Sequence, residues 1–117
     1  MSNTPVIYHN PRCSKSRQTL ALIEGKGIKP EIVLYLEKPP TQKKLKELIA
    51  MLGISARDLL RKSEQAYKDL NLADKTLTDS ALVKAMVENP KLIERPIVVA
   101  GQRAVLGRPP ENVMELI

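Results

Sequence analysis

Three runs in succession, PVIYH, SKSRQTLALIEGKG and EIVLYL, constrain this chain more than any other feature. The first is a short β-prone run followed by the turn signal NPR. The second carries Leu20, Leu22 and Ile23 at helical spacing before Gly25 and Gly27. The third, at residues 31–36, is a continuous apolar run and reads as a strand buried on both faces. Strand, helix and strand in this order predict a parallel pair of strands joined by a right-handed crossover.

After Lys38-Pro39-Pro40 the pattern becomes helical. Thr41 is placed to cap QKKLKELIAML, whose apolar positions 45, 48, 49 and 52 share one face and which ends at Gly53. Ser55 starts a second helix, SARDLLRK, while Thr78 and Pro90 bound a third in TDSALVKAMVENP, so residues 41–90 are expected to be wholly helical. RPIVVA and RAVLG then flank Gly101-Gln102 as an antiparallel hairpin, and PPENVMELI closes as a helix with proline in its first turn. The expected architecture is α/β: βαβ, a helical insert at about 41–90, then ββα, in a single domain spanning 1–117. A chain of 117 residues buries about two-thirds of its unfolded surface. Lacking Phe and Trp, it is expected to build its core from Leu, Ile, Val, Met and Ala.

The formal charge of +6 favours an anionic partner: nucleic acid, an acidic protein or a small oxyanion. KKLK at 43–46 is the densest basic run, but it belongs to no recognised nucleic-acid motif, and only Tyr8, Tyr35 and Tyr67 offer stacking surfaces. Nucleic-acid binding is therefore not expected. No apolar run approaches the roughly 18 residues of a membrane span. MSNTPVIYHN has neither the basic start nor the apolar stretch of a signal peptide, and a cytoplasmic monomer is expected. One Cys cannot form an internal disulfide, and with one His it falls short of an ordinary zinc site unless Asp or Glu complete the set, so a structural metal is not expected; nor is a bound cofactor.

The single thiol, Cys13, stands where a strand gives way to a helix, so the unpaired N–H groups and positive dipole end of that helix favour a thiolate. Arg12, Lys15 and Arg17 add positive charge nearby. A lone cysteine is often a small buried apolar residue. This one lies in a polar, basic turn off the apolar stripe, which points to a nucleophile of lowered pKa. Ser16 has two roles open to it, a donor to the thiolate or an N-terminal capping residue, and His9 likewise is either a proton carrier or a structural residue. Arginine suits a tetrahedral oxyanion because its planar fork makes paired hydrogen bonds, and the candidates beyond the first helix are Arg61, Arg95, Arg103 and Arg108.

With YHNPRCSKS, LYLEKPP, LLRK, ERPIVV and LGRPP in this order, the chain resembles the glutaredoxin-dependent arsenate reductases of the ArsC family, in particular their short YfgD-type members. The resemblance covers nearly the whole chain. It implies a thioredoxin-like fold with an inserted helical region and Cys13 as the nucleophile. It also implies oxyanion binding by Arg61, Arg95 and Arg108, with Ser16 and His9 near the sulfur and a cis bond before Pro96. Glutathione is the implied co-substrate and glutaredoxin the implied partner. The charges of Arg12 and Lys15 are departures from the family pattern. Two alternatives stand beside this reading. One is a module like the Spx transcription regulators that binds RNA polymerase, with Ser16 where a second cysteine would stand. The other is thiol exchange without an oxyanion substrate.

Overall fold

The computed structural model describes residues 4–117. Met1, Ser2 and Asn3, which open both the stretch read for a targeting signal and the 1–117 span, lie outside the described residues. The chain forms two compact units, one running up to Lys38 and resuming at Arg95–Ile117, the other Pro39–Glu94.

The first unit is built on a four-stranded mixed sheet in the order β2-β1-β3-β4. Its strands are β1 (Val6–Tyr8), β2 (Glu31–Val33), β3 (Ile97–Ala100) and β4 (Arg103–Leu106), and helix α1 (Ser14–Gly25) joins the first two. β1 and β2 are parallel, with Val6 opposite Glu31 and Tyr8 opposite Val33. β3 is antiparallel to both β1 and β4, and the β3–β4 turn uses Gly101 at φ 63°, a conformation that glycine adopts without steric cost. This is the thioredoxin-like arrangement that the sequence implies. Ile7, Ile23, Val98 and Val113 are fully buried together, with Leu20, Ile28 and Val105 packed against them. Each such side chain contributes about 1.5–3 kcal/mol by leaving water.

Two expectations need correction in this unit. The run at 31–36 is not a strand buried on both faces: β2 ends at Val33 and is the edge of the sheet. Ile32 is 46% exposed, Leu34 36% and Leu36 38%, whereas Tyr35 between the leucines is 1% exposed. The chain turns away because the Leu34 carbonyl accepts the N–H groups of both Glu37 and Lys38 at 2.9 Å, and the turn drives the Tyr35 ring into the core. The closing segment Pro110–Glu115 is a 3-10 helix rather than an α-helix. Its i to i+3 bonds, such as Asn112 N–H to the Pro109 carbonyl at 3.0 Å, accompany Asn112 side-chain bonds to the carbonyls of Leu106 and Arg108 at 3.1 and 3.2 Å.

The second unit holds α2 (Gln42–Leu52), α3 (Ala56–Leu59), α4 (Gln65–Asp69) and α5 (Asp79–Glu88). The predicted caps are present: the hydroxyls of Thr41 and Thr78 accept from Lys44 N–H and Ala81 N–H at 3.1 Å, and Ser55 forms a reciprocal capping box with Asp58. Leu45, Leu48, Leu59, Leu82, Met86 and Leu92 are buried as its core. Residues 41–90 are nevertheless not helical throughout. α3 stops at Leu59 because Leu60 bridges Ile93, with Arg61 N–H donating to the Leu92 carbonyl at 2.7 Å and Glu94 N–H to the Leu59 carbonyl at 2.9 Å. α4 forms inside the stretch between the predicted helices. No helix of the described residues is long and apolar enough to cross a membrane.

Gly107 marks a close approach within the first unit. Its N–H donates to the Pro96 carbonyl at 2.9 Å, and a Cβ there would collide with Thr19 Oγ1 and lie 2.8 Å from Pro96 Cγ. Gly107→Ala is expected to destabilise the protein by about 1–3 kcal/mol through overpacking. A lower urea midpoint at unchanged m-value is the measurement that checks it.

Candidate active site

Cys13 is the N-cap of α1, half-buried, with extended backbone at φ −96° and ψ 123°. The turn that delivers it follows from NPR: Cys13 N–H donates to the Asn10 carbonyl at 3.0 Å, and Arg12 N–H to Asn10 Oδ1 at 3.0 Å. Proline at position 11 keeps the chain extended on entry to the turn. Arg17 then closes it by donating from Nη1 to the Pro11 carbonyl at 2.9 Å.

Burial pushes the Cys13 thiol up, yet its pKa is lowered overall. The downward pull comes from the Ser16 N–H, the Arg95 side chain, the Lys15 N–H and the Arg95 charge. Lys15 and Ser16 lie in the first turn of α1, so their two amides act on the sulfur as the positive end of the helix. The charge named in that pull belongs to Arg95, from the far end of the chain, rather than to the sequence neighbours Arg12 and Lys15.

Ser16 is fully buried and its hydroxyl faces the loop, not the sulfur. Ser16 Oγ lies 2.6 Å from His9 Nδ1 and accepts the Asn10 N–H at 3.0 Å. The sequence leaves Ser16 either a donor to the thiolate or a capping residue; it is the backbone amide of Ser16, not its hydroxyl, that pulls the thiol pKa down. His9 is 6% exposed. Burial lowers its imidazole pKa first, and the Arg17 charge lowers it further against a smaller upward pull from Glu24. The ring is therefore neutral near pH 7 and ties the end of β1 to the first turn of α1.

Arg95 is 9% exposed, and its Nε is buried without a hydrogen-bond partner among the described residues. The Arg95–Pro96 bond is cis, as expected, and Arg108–Pro109 is a second cis bond. Arg108 Nη1 donates to the Arg95 carbonyl at 3.4 Å, which brings Arg108 beside Arg95. The first unit thus gathers Cys13, His9, Ser16, Arg95, Pro96 and Arg108. Arg61 belongs to the second unit, where Glu94 Oε1 lies 3.4 Å from its Nη1 and Glu64 Oε1 lies 3.8 Å from its Nε. Arg103 is exposed, and its Nη1 donates to the Glu115 carbonyl at 3.5 Å. Among the described residues no group of three or more His, Cys, Asp or Glu side chains is placed to hold a metal ion.

Three contributors escaped the sequence reading. Asn10 supports both Ser16 and Arg12, and only the turn signal NPR pointed to it. Buried Thr19 bonds the Lys15 carbonyl at 2.8 Å and the Gly107 carbonyl at 3.4 Å, which nothing local announces. Glu94 holds Arg61, a pairing that required the Leu60–Ile93 bridge to be known.

Two outcomes follow from these ionisations. Cys13 is expected to alkylate with a midpoint below that of an ordinary thiol, about 8.5. Arg95→Ala is expected to raise that midpoint, as read by iodoacetamide rates across pH. His9, lowered in the fold, is neutral in both states above its unfolded value of about 6.5. Below that pH the unfolded chain binds the proton first, so stability is lost as pH falls towards the folded value. Urea midpoints measured from pH 7.5 to 5 check this, and His9→Asn is expected to remove that part of the pH dependence.

The ArsC family model matches residues 8–116. Over 118 aligned residues the chain is 56% identical to the uncharacterised protein YfgD of Escherichia coli strain K12, covering 100% of this chain and 99% of that one. It is 50% identical to an arsenate reductase of Haemophilus influenzae, covering 96% and 97% of the two chains. A solved arsenate reductase from Vibrio cholerae superposes with a TM-score of 0.97 at 52% identity, over 100% of both chains. From the sheet order to the loop that carries Cys13, this is a chain of the ArsC family.

Proposed function

We propose that the protein reduces arsenate to arsenite through a covalent adduct on Cys13, with glutathione as co-substrate and glutaredoxin as the partner that restores the thiol. One observation carries the reading: a thiol of lowered pKa stands beside Arg95, a buried arginine whose Nε has no hydrogen-bond partner among the described residues. A buried guanidinium is costly unless an anion compensates it, and an arsenate oxygen supplies that anion where its arsenic is within reach of the sulfur.

In the first step the Cys13 thiolate attacks arsenic(V). A sulfur–arsenic bond forms and one arsenic–oxygen bond breaks, the departing oxygen leaving as water after protonation. Arg95 and Arg108 offset the charge of the remaining oxygens, and the family resemblance proposes Arg61 as a further oxyanion-binding arginine. Because the chain has one cysteine, the second sulfur must come from outside. The glutathione thiolate attacks Cys13 Sγ and forms a disulfide, while the sulfur–arsenic bond breaks with its electron pair staying on arsenic, which departs as arsenic(III). A glutaredoxin thiolate then attacks the glutathione sulfur of the mixed disulfide and frees Cys13. His9 and Ser16 position the loop and carry no proton in this scheme, since a thiolate already formed needs no base. Such a reductant pool belongs to the cytoplasm, where the protein acts as a monomer.

The test is arsenate-dependent NADPH oxidation coupled through glutathione reductase and glutaredoxin. Cys13→Ser is expected to abolish turnover. Arg95→Ala is expected to lower kcat/KM for arsenate about 10- to 100-fold, the equivalent of one charged hydrogen bond. Full activity of Cys13→Ser sinks the adduct. Fast Cys13 alkylation with no arsenate-dependent turnover assigns the thiol to disulfide exchange instead.

A further inference from the structure

The loop that leads into Cys13 and the turn that follows β2 enclose a cavity of about 320 Å³, within the range of small-ligand sites. Pro11, Arg12, Leu34, Leu36 and Glu37 line it, together with His9 and Asn10, which follow β1. The oxyanion chemistry uses none of these five side chains. Two features say what the cavity accepts. Its wall is apolar at Leu34 and Leu36, which stay exposed although Tyr35 between them is buried. Its rim carries one cation and one anion, Arg12 and Glu37, and neither side chain makes an ion pair among the described residues.

A site with separate positive and negative groups over an apolar wall matches a zwitterion with aliphatic stretches between its charges. It does not match arsenate, which carries no positive end. We propose that this cavity seats the external reductant itself, a γ-glutamyl peptide thiol such as glutathione. The free ammonium group faces Glu37, a carboxylate faces Arg12 and the methylenes lie on Leu34 and Leu36. Residues 9–12 run directly into Cys13, whose N–H donates to the Asn10 carbonyl at 3.0 Å, so a peptide held there sits on the loop that adjoins the sulfur. The proposal rests on the reading that an outside thiol completes the reaction, and the redox step is the disulfide-forming attack given above.

The experiment uses S-methylglutathione, which keeps every charge of the peptide and forms no disulfide. The full chain is titrated with it by calorimetry or by NMR of the backbone amides. Saturable one-site binding is expected, with amide shifts at residues 9–12 and 34–37. Leu36→Glu and Glu37→Lys are each expected to weaken it about tenfold, the equivalent of one charge-assisted contact reversed. Both positions are exposed, so the variants keep the circular dichroism of the parent, and Lys43→Glu, exposed on α2, is expected to bind as the parent does. Absence of saturable binding to the parent, or equal binding by all four proteins, overturns the proposal. So does a rise in the KM for glutaredoxin in Leu36→Glu with peptide binding unchanged, which marks the face as a protein-docking surface. Binding that is lost in both variants supports the cavity even where arsenate turnover is absent, in which case only the arsenate reading falls.

Discussion

The hydroxyl of Ser16, shared between the His9 ring at 2.6 Å and the Asn10 amide at 3.0 Å, is the contact on which the reactive end of the chain depends. β1 delivers His9, α1 carries Ser16, and the few residues between them must reverse the chain without a regular hydrogen-bond ladder. All three groups are buried, and leaving any one of them unsatisfied costs about 1–3 kcal/mol. The network therefore permits one geometry of the turn. In that geometry Cys13 caps α1 and its sulfur meets the amides of Lys15 and Ser16. A serine that makes no side-chain contact with the sulfur thus decides where the sulfur stands.

That position is only half of the electrostatics. Arg95 reaches the same place through a chain of tight contacts: Gly107 lies against Thr19 of α1 and against Pro96, and Arg108 bonds the Arg95 carbonyl. Stabilising the thiolate has a cost, since a sulfur of lower pKa is an intrinsically weaker nucleophile. A fixed cation beside the sulfur offsets that cost in the reaction proposed here, because an oxyanion drawn to the guanidinium is brought to the sulfur by the same contact. The Nε of Arg95, without a hydrogen-bond partner among the described residues, is one donor for it.

Local pattern made the elements legible, and tertiary contact made the site. Thr41, Ser55 and Thr78 cap as their spacing says, because a cap is a contact between residues three apart. The hairpin at Gly101 is equally local. The strand at 31–36 was misjudged because an apolar run records hydrophobicity and not which neighbours exist; at the edge of a sheet there is no second partner, and Leu34 and Leu36 remain in water. The helical region was overextended at Leu60 because its bridge to Ile93 joins residues far apart in sequence. For the same reason the sequence credited the thiol to Arg12, Lys15 and Arg17, its neighbours in the chain. The charge that lowers its pKa is that of Arg95, a residue that only the family resemblance had placed near it.

The exposed edge also bears on the chemistry. A chain with one cysteine that forms an adduct must admit a second thiol, so its site has to stay open on one side. Residues 32, 34 and 36 alternate onto one face, and Ile32 is already exposed on the edge strand. The turn at Leu34 leaves Leu34 and Leu36 uncovered next to the loop that carries Cys13, at a loss of up to about 1.5–3 kcal/mol for each side chain not fully buried. A two-thiol enzyme, which resolves its own adduct, has no need of such an opening. Under the proposed scheme, the uncovered edge of β2 stands beside the loop where an outside thiol has to arrive.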